Sequence, residues 1–219
     1  MSSFLRARSA EQKEQRLAEI KQATAELFAA QPYQAITLTT IAQALDWSRA
    51  NLYKYVTTKE EIFLELAGDA HTAYSAAVAD AFEHEIEAAD TLPLSASKRT
   101  HLANQWAKAA ADHRDWFHYG SILFTVIETN VTAERLARFK RGYYDAANAL
   151  AALMSQMLGI TPARAGQLYQ TVYYHAVGTS GYCAKNPLVA EALAIAGIEK
   201  APLDFEEDLS EFVLMCIER

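Results

Sequence analysis

The amino-acid sequence predicts an all-α protein, for three reasons. The chain has 219 residues, of which 51% are hydrophobic and 21% charged, the usual balance of a globular protein. Only 8 Gly and 5 Pro are present to interrupt helices. Apolar residues recur at steps of three and four along almost the whole chain, whereas no segment alternates between apolar and polar residues as a strand would.

Helix breakers and capping residues place the helices of the N-terminal half. The first helix ends before Pro32, and a capping box that begins at Thr58 opens a long fourth helix, which residues 92–95 end. The spacing of apolar residues predicts four shorter helices, over 38–45, 49–55, about 96–112 and about 115–128.

The C-terminal half holds the clearest apolar stripe, between residues 136 and 157. It ends at Gly159, where glycine can adopt the left-handed conformation of a helix C-terminus. Thr161-Pro162 supplies a cap and a proline at the first helical position, and so opens a further helix that Asn186-Pro187 ends. Asp204 caps a last helix, which ends near residue 217.

Segment 37–55, TLTTIAQALDWSRANLYKY, has the layout of a helix-turn-helix. Thr37 and Ser48 can cap its two helices, and Asp46 lies in the turn, where Asp tolerates a positive φ better than most residues do. Leu52 and Val56 share an inward face of the second helix. Five polar side chains lie on or near its outer side: Arg49, Asn51, Tyr53, Lys54 and Tyr55.

This outward set suits DNA binding. Arg and Asn side chains can hydrogen-bond base edges in the major groove, and Lys and Tyr side chains can reach phosphate oxygens. Thr37, Thr39 and Thr40, at the start of the first short helix, could hold a phosphate together with the free backbone N–H groups there. The alternative is an ordinary solvated polar helix, and the residue types alone leave both interpretations open.

Residues 20–66 resemble the DNA-binding domain of the tetracycline-repressor (TetR) family. The matching pieces occur in the family's order and spacing: ATAELFA in the first helix, then PYQAITL, IAQAL, LYKYV and TTKEEI. The chain departs from the family pattern at Pro32 and Asp46, where glycine is usual, and at Trp47, where a smaller aliphatic residue is usual. These departures concern local geometry and the DNA sequence that is read.

The resemblance implies roles for individual residues and a division of the chain. Residues 1–58 would form a three-helix DNA-binding domain, and residues 59–219 a helical domain for ligand binding and dimerisation. Thr39, Tyr53 and Lys59 look like phosphate contacts. The residues that look groove-facing are Arg49, Ala50, Asn51, Tyr53, Lys54 and Tyr55.

The charge distribution agrees with this division. The chain carries −7 overall, but its first 60 residues hold eight Lys and Arg against six Asp and Glu. A mildly basic head on an acidic body fits a protein with one anion-binding end. Arg6 and Arg8, which precede the predicted first helix, could reach the minor groove as a flexible arm or remain solvated charge.

The resemblance further implies a homodimer, in which the last two long helices of each subunit form a four-helix bundle. Small residues on the first of these two helices would permit close helix approach. The candidate interface residues are Gly166, Tyr169, Ala176, Gly178, Leu209, Phe212 and Val213. The same residues would also suit the core of a single chain, so both interpretations stay open.

Proteins of this family keep a small-molecule pocket between the DNA-binding head and the dimer bundle. The candidate pocket residues are Trp106, Trp116, Phe117, Phe124, Phe139, Tyr143 and Tyr173. Aromatic rings offer stacking faces, and Tyr and Trp add a polar group. An acidic, aromatic-rich body would favour an aromatic or cationic effector, whereas plain core packing is the alternative for each residue.

Other classes of protein find little support. No apolar run approaches the roughly 20 residues that span a bilayer, and the first residues lack a secretion signal, so we expect a cytoplasmic protein without membrane contact. Cys183 and Cys216 are expected to be buried small hydrophobes, with redox sensing as the alternative. The motifs of metal sites, cofactor sites and nucleophilic catalysis are missing, so we expect no metal, no cofactor and no enzymatic activity.

The sequence therefore predicts a TetR-like transcriptional regulator. We expect a repressor that binds a palindromic operator in double-stranded DNA as a homodimer and that a small-molecule effector releases. The alternative is a small-molecule sensor or binding protein whose DNA-binding head does not function. An α-helical enzyme with a buried Tyr–His–Asp set is a third class, which no spacing in the sequence requires.

Overall fold

A computed structural model describes the backbone of residues 2–184 and 186–218, and the side chains of residues 11–184 and 186–218. This part of the chain contains helices and no strand, which confirms the predicted all-α class. The α-helices are α1 (Ser2–Ala30), α2 (Leu38–Ala44), α3 (Arg49–Leu52), α4 (Lys59–Glu87), α5 (Ala96–Asp112), α6 (Arg114–Ile122), α7 (Ala133–Leu158), α8 (Pro162–Cys183), α9 (Pro187–Ala196) and α10 (Phe205–Ile217). A 3₁₀ turn spans Tyr33–Ala35, and a π-helical turn spans Leu123–Ile127.

The helices form two compact units. The head unit comprises Met1–Asp69 and Ile122–Lys140, and the body unit comprises Ala70–Ser121 and Arg141–Arg219. Helices α4 and α7 each contribute residues to both units, so no single position in the sequence separates the two units. The predicted domains 1–58 and 59–219 stay a prediction. The backbone of Arg6 and Arg8 is helical and belongs to α1, so the prediction that they precede the first helix as a flexible arm was wrong. Their side chains lie outside the described residues.

The core of the head unit forms where α1, α2, α3 and the start of α4 turn their apolar faces inward. Ile20, Ile41 and Leu52, one from each of the first three helices, are fully buried. The rings of Phe28 on α1 and Phe63 on α4 meet edge to face with centroids 5.0 Å apart. Each short helix therefore depends on its own buried residue, Ile41 in α2 and Leu52 in α3, because helices of seven and four residues are not stable alone.

In the body unit, α10 packs against α5 and α8. Leu209 and Val213 on α10 are fully buried in this packing. Hydrogen bonds accompany it on both sides: Ser210 Oγ donates to Asn104 Oδ1 on α5 at 2.6 Å, and His175 Nε2 on α8 lies 2.7 Å from Asp208 Oδ2. The last helix thus completes the core of its own chain.

Two predicted boundaries were wrong, and one helix was missed. The second helix of the helix-turn-helix ends at Leu52, not at residue 55, and the helix predicted over 115–128 changes to π-helical geometry at Leu123. Helix α9 was missed because Asn186-Pro187 was interpreted only as a helix end. In the structure Asn186 Oδ1 accepts the backbone N–H of Leu188 at 3.0 Å, so the pair also caps a new helix, with proline at its first position.

Helix α9 is the most exposed apolar element that the structure describes. None of its residues is buried, and the side chains of Leu188 and Ile195 are 72% and 82% exposed. Among the helices that the structure describes, none has the length and hydropathy that crossing a membrane requires.

The end of α7 depends on a glycine, as predicted. Gly159 has φ +68°, and a Cβ added there would lie 2.5 Å from Pro93 Cγ in the connector between α4 and α5. The same connector is bonded to α7, because the Leu94 N–H donates to Met157 O at 2.8 Å. The glycine therefore meets two demands, a left-handed backbone and a close approach to a rigid ring.

We expect Gly159→Ala to destabilise the protein more than Gly197→Ala does. Gly197, after α9, has the same φ of +68° but nothing within 4 Å of an added Cβ, so it is a control for the backbone conformation alone. The clash with Pro93 should add about 1–3 kcal/mol, the usual cost of overpacking. Urea unfolding of both variants measures the difference, and equal losses would show that the Pro93 ring yields without cost.

Candidate nucleic-acid interface

The start of α2 is closed by a capping box. Thr37 Oγ1 accepts the Thr40 N–H at 3.1 Å, and Thr40 Oγ1 accepts the Thr37 N–H at 2.9 Å. This confirms the predicted cap at Thr37. It also means that these two hydroxyl groups serve the helix, whereas the nearby Thr39 is half-buried at the same helix end. A phosphate contact by the three threonines stays a prediction.

The turn and the cap of α3 also agree with the sequence analysis. Asp46 has φ +55°, in the left-handed region that Asp tolerates. Ser48 Oγ accepts the Asn51 N–H at 3.2 Å and so caps α3. Leu52 and Val56 are 0% and 6% exposed, so one side of this short element is inside the head unit.

The opposite side of α3 presents the predicted DNA-binding side chains. Arg49, Ala50 and Lys54 are exposed, the Tyr53 side chain is 49% exposed, and Asn51 is half-buried. The Arg49 guanidinium donates to Tyr53 Oη at 3.2 Å, one turn further along. Cationic and phenolic groups thus stand together on a surface of the head unit, although the α-helix itself is three residues shorter than predicted.

Tyr55 is half-buried beside Trp47, which in turn has a cationic neighbour. Its ring lies 5.8 Å from the Trp47 ring, and the Arg16 guanidinium carbon lies 5.2 Å from the centre of Trp47. Trp47 is half-buried, so the departure from the family pattern at this position supplies a platform for Tyr55. The sequence analysis did not foresee a role for Arg16, because only the fold brings α1 to this turn.

Lys59 has two partners inside the head unit. Its Nζ donates to Tyr33 O at 2.9 Å and to Ile36 O at 2.8 Å, and lies 3.7 Å from the centre of the Tyr33 ring. Burial lowers the pKa of the Lys59 ammonium, against the opposing effect of Glu60. The Tyr33 hydroxyl donates to Glu60 Oε1 at 2.5 Å. Lys59 therefore ties the connector before α2 to α4, and its phosphate contact stays a prediction.

Two family models match the chain. One, described as bacterial regulatory proteins of the tetR family, matches residues 20–66, which contain the surface described above. The other, described as the tetracyclin repressor-like C-terminal domain, matches residues 71–218, more than half of the sequence. The chain belongs to the TetR family.

Solved structures of TetR-family regulators share the fold. A transcriptional regulator from Mesorhizobium loti is 15% identical, with 94% of this chain and 95% of that chain covered and a TM-score of 0.58. PfmR from Thermus thermophilus is 18% identical, with 91% and 97% covered and a TM-score of 0.58. A regulatory protein from Rhodococcus is 18% identical, with 92% and 95% covered and a TM-score of 0.59. No curated protein sequence matches the chain.

This TetR-family regulator has an aromatic cluster inside its body unit, where five of the seven predicted pocket residues lie. Trp106, Trp116, Phe117, Tyr143 and Tyr173 are each at most 7% exposed. Ring contacts link Trp116, Phe117, Tyr143 and Tyr173, with the Trp116 and Tyr173 centroids 5.2 Å apart and the ring planes 29° apart. Trp106 instead stacks on Tyr169, with centroids 6.3 Å apart. The other two predicted pocket residues, Phe124 and Phe139, belong to the head unit, with Lys140 Nζ at 5.3 and 5.9 Å from their ring centres.

Two polar groups are buried among these rings. The Trp116 indole N–H has no acceptor among the described residues. His71 is 3% exposed, its ring lies 4.8 Å from Trp116 and 4.7 Å from Tyr143, and its Nε2 lies 3.2 Å from Ser75 Oγ. Burial lowers the pKa of His71 to about 4, so the ring is neutral at physiological pH. The surroundings of the His71 ring could not be predicted from the sequence, because Trp116 and Tyr143 come from α6 and α7.

The predicted dimer residues divide into two groups. Tyr169, Ala176, Leu209 and Val213 are at most 3% exposed within one chain. Their surface is already covered, so their assignment to an interface between subunits is corrected, and the alternative of an intrachain core holds for them. Gly166, Gly178 and Phe212 keep exposed surface: Gly178 is exposed, whereas Gly166 and Phe212 are half-buried.

The cysteines and the acidic side chains form no further site among the described residues. Cys183 and Cys216 are half-buried rather than buried, and they are not joined in a disulfide. Cys183 Sγ donates to Leu203 O at 3.5 Å. In the part of the chain that the structure describes, no three His, Cys, Asp or Glu side chains are grouped as they would be around a metal ion.

The buried neutral His71 predicts a specific loss of stability in acid. The unfolded chain takes up a proton on this residue near pH 6.5, whereas the folded chain does so only near pH 4. Its contribution is therefore present above pH 6.5 and is lost as the pH falls towards 4, by up to roughly 3 kcal/mol in total.

Urea unfolding between pH 7 and pH 4 of the wild type and of His71→Gln measures this contribution. The variant should lose less stability than the wild type over that interval, because it lacks the titrating ring. Parallel losses in the two proteins would show that His71 takes up its proton without hindrance in the folded state.

Proposed function

We propose that this TetR-family regulator is a repressor that binds a palindromic operator as a homodimer and that a small-molecule effector releases. The observation that carries the proposal is the exposed cationic and phenolic surface of α3. Arg49, Tyr53 and Lys54 are held outward there by the Ser48 cap on one side and by buried Leu52 on the other. These side chains do not pack into the core, and their hydrogen-bond donors match the acceptors of a DNA duplex.

The proposed DNA contacts are of two kinds. Arg49 and Asn51 are suited to base edges in the major groove, where Arg recognises guanine and Asn recognises adenine. Hydroxyl, ammonium and backbone N–H groups around them are suited to phosphates, which fix the register of the protein on the duplex. The full proposed set is Thr37, Thr39, Thr40, Arg49, Ala50, Asn51, Tyr53, Lys54, Tyr55 and Lys59.

A single turn of helix reads few bases, so useful specificity requires two copies on paired half-sites. We place the dimer contact on the exposed face of α8. Residues at helical spacing form this face: Thr171, Tyr174, Gly178 and Tyr182 are all exposed. Nothing lies within 4 Å of a Cβ added at Gly178, so a neighbouring helix could approach closely. Helix α9 follows α8 in the sequence, and its exposed apolar side chains are also typical of a protein–protein contact.

The effector is proposed to bind at the aromatic cluster of the body unit. Stacked rings favour a flat, aromatic ligand, and a cation would also be attracted to their faces. The buried Trp116 N–H offers a donor to such a ligand, because a buried donor without an acceptor costs about 1–3 kcal/mol that a bound acceptor would recover. An effector of this kind would therefore carry a hydrogen-bond acceptor.

Release from DNA is proposed to be a shift between two conformations. The effector would favour a conformation of the dimer whose two recognition surfaces no longer match successive major grooves. A coupling free energy of about 1–3 kcal/mol would change operator affinity by about 5- to 150-fold. Helix α4 connects the two functions along the chain, because its first part belongs to the head unit and its remainder to the body unit.

The DNA contact is tested by selection from a random pool of duplexes, followed by salt titration. We expect a palindrome to be selected. Lys54→Ala should weaken binding to all sequences and reduce the slope of log affinity against log salt by about 0.9, the value for one phosphate contact. Arg49→Ala should cost about 1–3 kcal/mol and relax the preference at one base pair of each half-site.

Lys108→Ala is the matched control, since it removes the same charge from an exposed position on α5 in the body unit. It should leave affinity and slope unchanged. If no duplex is enriched, the protein is better explained as a small-molecule sensor whose head does not bind DNA. If a duplex is enriched but Lys54→Ala behaves like Lys108→Ala, Lys54 makes no phosphate contact.

The dimer is tested by Gly178→Arg. A Cβ added there meets nothing within 4 Å in the single chain and the position is exposed, so the protomer should fold normally, but an arginine would obstruct a helix packed on α8. The dimer dissociation constant should rise more than tenfold, which corresponds to about 1.4 kcal/mol. Gly142→Arg on α7 is the control, because Gly142 is exposed and equally free of neighbours. Sedimentation velocity reports both, and an intact Gly178→Arg dimer would place the contact on another face.

A further inference from the structure

The turn between α3 and α4 is held by a buried carboxylate. Glu61 is 6% exposed, and its Oε2 accepts the Thr57 N–H at 3.0 Å. Thr58 Oγ1 in turn accepts the Glu61 N–H at 3.2 Å. Thr57 follows Tyr53 by four residues and Lys54 by three. The position of these two exposed side chains relative to α4 therefore depends on the cap that Glu61 makes.

The same carboxylate has an ionic partner far away in the sequence. Arg135, in the first turn of α7, places its Nε 3.3 Å from Glu61 Oε1 and its Nη1 3.6 Å from Glu65 Oε1. Arg135 and Arg138 both line a groove of about 450 Å³ inside the head unit, together with residues of α1, α4 and Tyr55. Arg135 is two-thirds buried in this groove, whereas Arg138 is exposed.

Charge explains why Arg135 matters to the turn. A buried carboxylate needs a counter-charge, and removal of one partner from such a pair leaves the other charge uncompensated. Without Arg135, the Glu61 carboxylate would be a buried charge without its partner and would turn towards solvent. This displacement weakens its hydrogen bond to the Thr57 N–H.

We infer that Arg135 is a positioning residue for DNA binding, which acts by neutralising Glu61 and thereby holding the turn that carries Tyr53 and Lys54. The inference rests on the proposed recognition of DNA by α3. It extends the DNA-binding machinery beyond residues 20–66, which the tetR family model matches, to the start of α7.

The test compares Arg135→Gln with Arg138→Gln, which removes the same charge one turn further along α7. The first readout is hydrogen exchange of the Thr57 backbone amide in the DNA-free protein. We expect exchange in Arg135→Gln to be about 2- to 30-fold faster than in the wild type, the range in which residues acting through others change an equilibrium. Arg138→Gln should exchange like the wild type.

The second readout is affinity for the selected operator at several salt concentrations. Arg135→Gln should bind about 2- to 30-fold more weakly with an unchanged salt slope, because a positioning residue contacts no phosphate. The double variant Glu61→Gln/Arg135→Gln should regain both protection and affinity, since its neutral amide oxygen can accept the Thr57 N–H without a counter-charge. If Arg135→Gln does not fold, Arg135→Lys replaces it, with both readouts intermediate.

Three results would overturn the inference. Exchange at Thr57 that is unchanged in Arg135→Gln would show that the pair does not support the turn. Equal effects of Arg135→Gln and Arg138→Gln would indicate general charge alone. A salt slope reduced by about 0.9 with normal Thr57 protection would make Arg135 a direct phosphate contact. The exchange measurement needs no DNA, so it decides on Arg135 even if the wild type binds no operator.

Discussion

A recognition element of one helical turn cannot hold its own shape, and the head unit is built around that constraint. Helix α3 has four residues, too few for local hydrogen bonds to offset the entropy of forming a helix. It is held instead by buried Leu52 beneath it and by the first turn of α4 beyond it. In that turn Lys59 bonds to the connector before α2, and Glu61 bonds to the connector after α3.

The consequence is that the DNA-binding surface is supported by residues that need not touch DNA. Arg16 beside Trp47 and Arg135 beside Glu61 come from α1 and α7, on either side of the helix-turn-helix in the sequence. Cations near the recognition surface therefore divide into those that face outward, such as Lys54, and those whose charge is used inside the protein. Counting basic residues in the first 60 positions does not separate the two groups.

In the body unit, polar groups are buried among closely packed aromatic rings. The rings of the aromatic cluster fill the interior and account for much of its burial. A neutral imidazole and an unpaired indole N–H are nevertheless kept among them, although apolar residues of the same size would pack without that cost. Retention of such groups agrees with the proposed effector site, where a polar contact would confer specificity.

Much of the architecture is encoded locally, and the sequence alone determined it: the all-α class, the caps at Thr37, Ser48 and Thr161, the positive φ of Asp46, and the family of the head. Each depends on a few adjacent residues, so each could be predicted. The same local reasoning missed α9, because an Asn-Pro pair can follow the end of one helix and also cap the start of the next. The pair alone does not show whether a second helix begins at Pro187.

Only the tertiary structure decided which residues are used where. Tyr169, Ala176, Leu209 and Val213 have the pattern of an interface, but they are buried within their own chain, where α10 packs against α5 and α8. Glu61 and Arg135 are 74 positions apart and form a pair only because the start of α7 packs in the head unit. Burial and long-range ion pairs depend on where helices meet, and helical periodicity shows that a face is apolar without showing what will cover it.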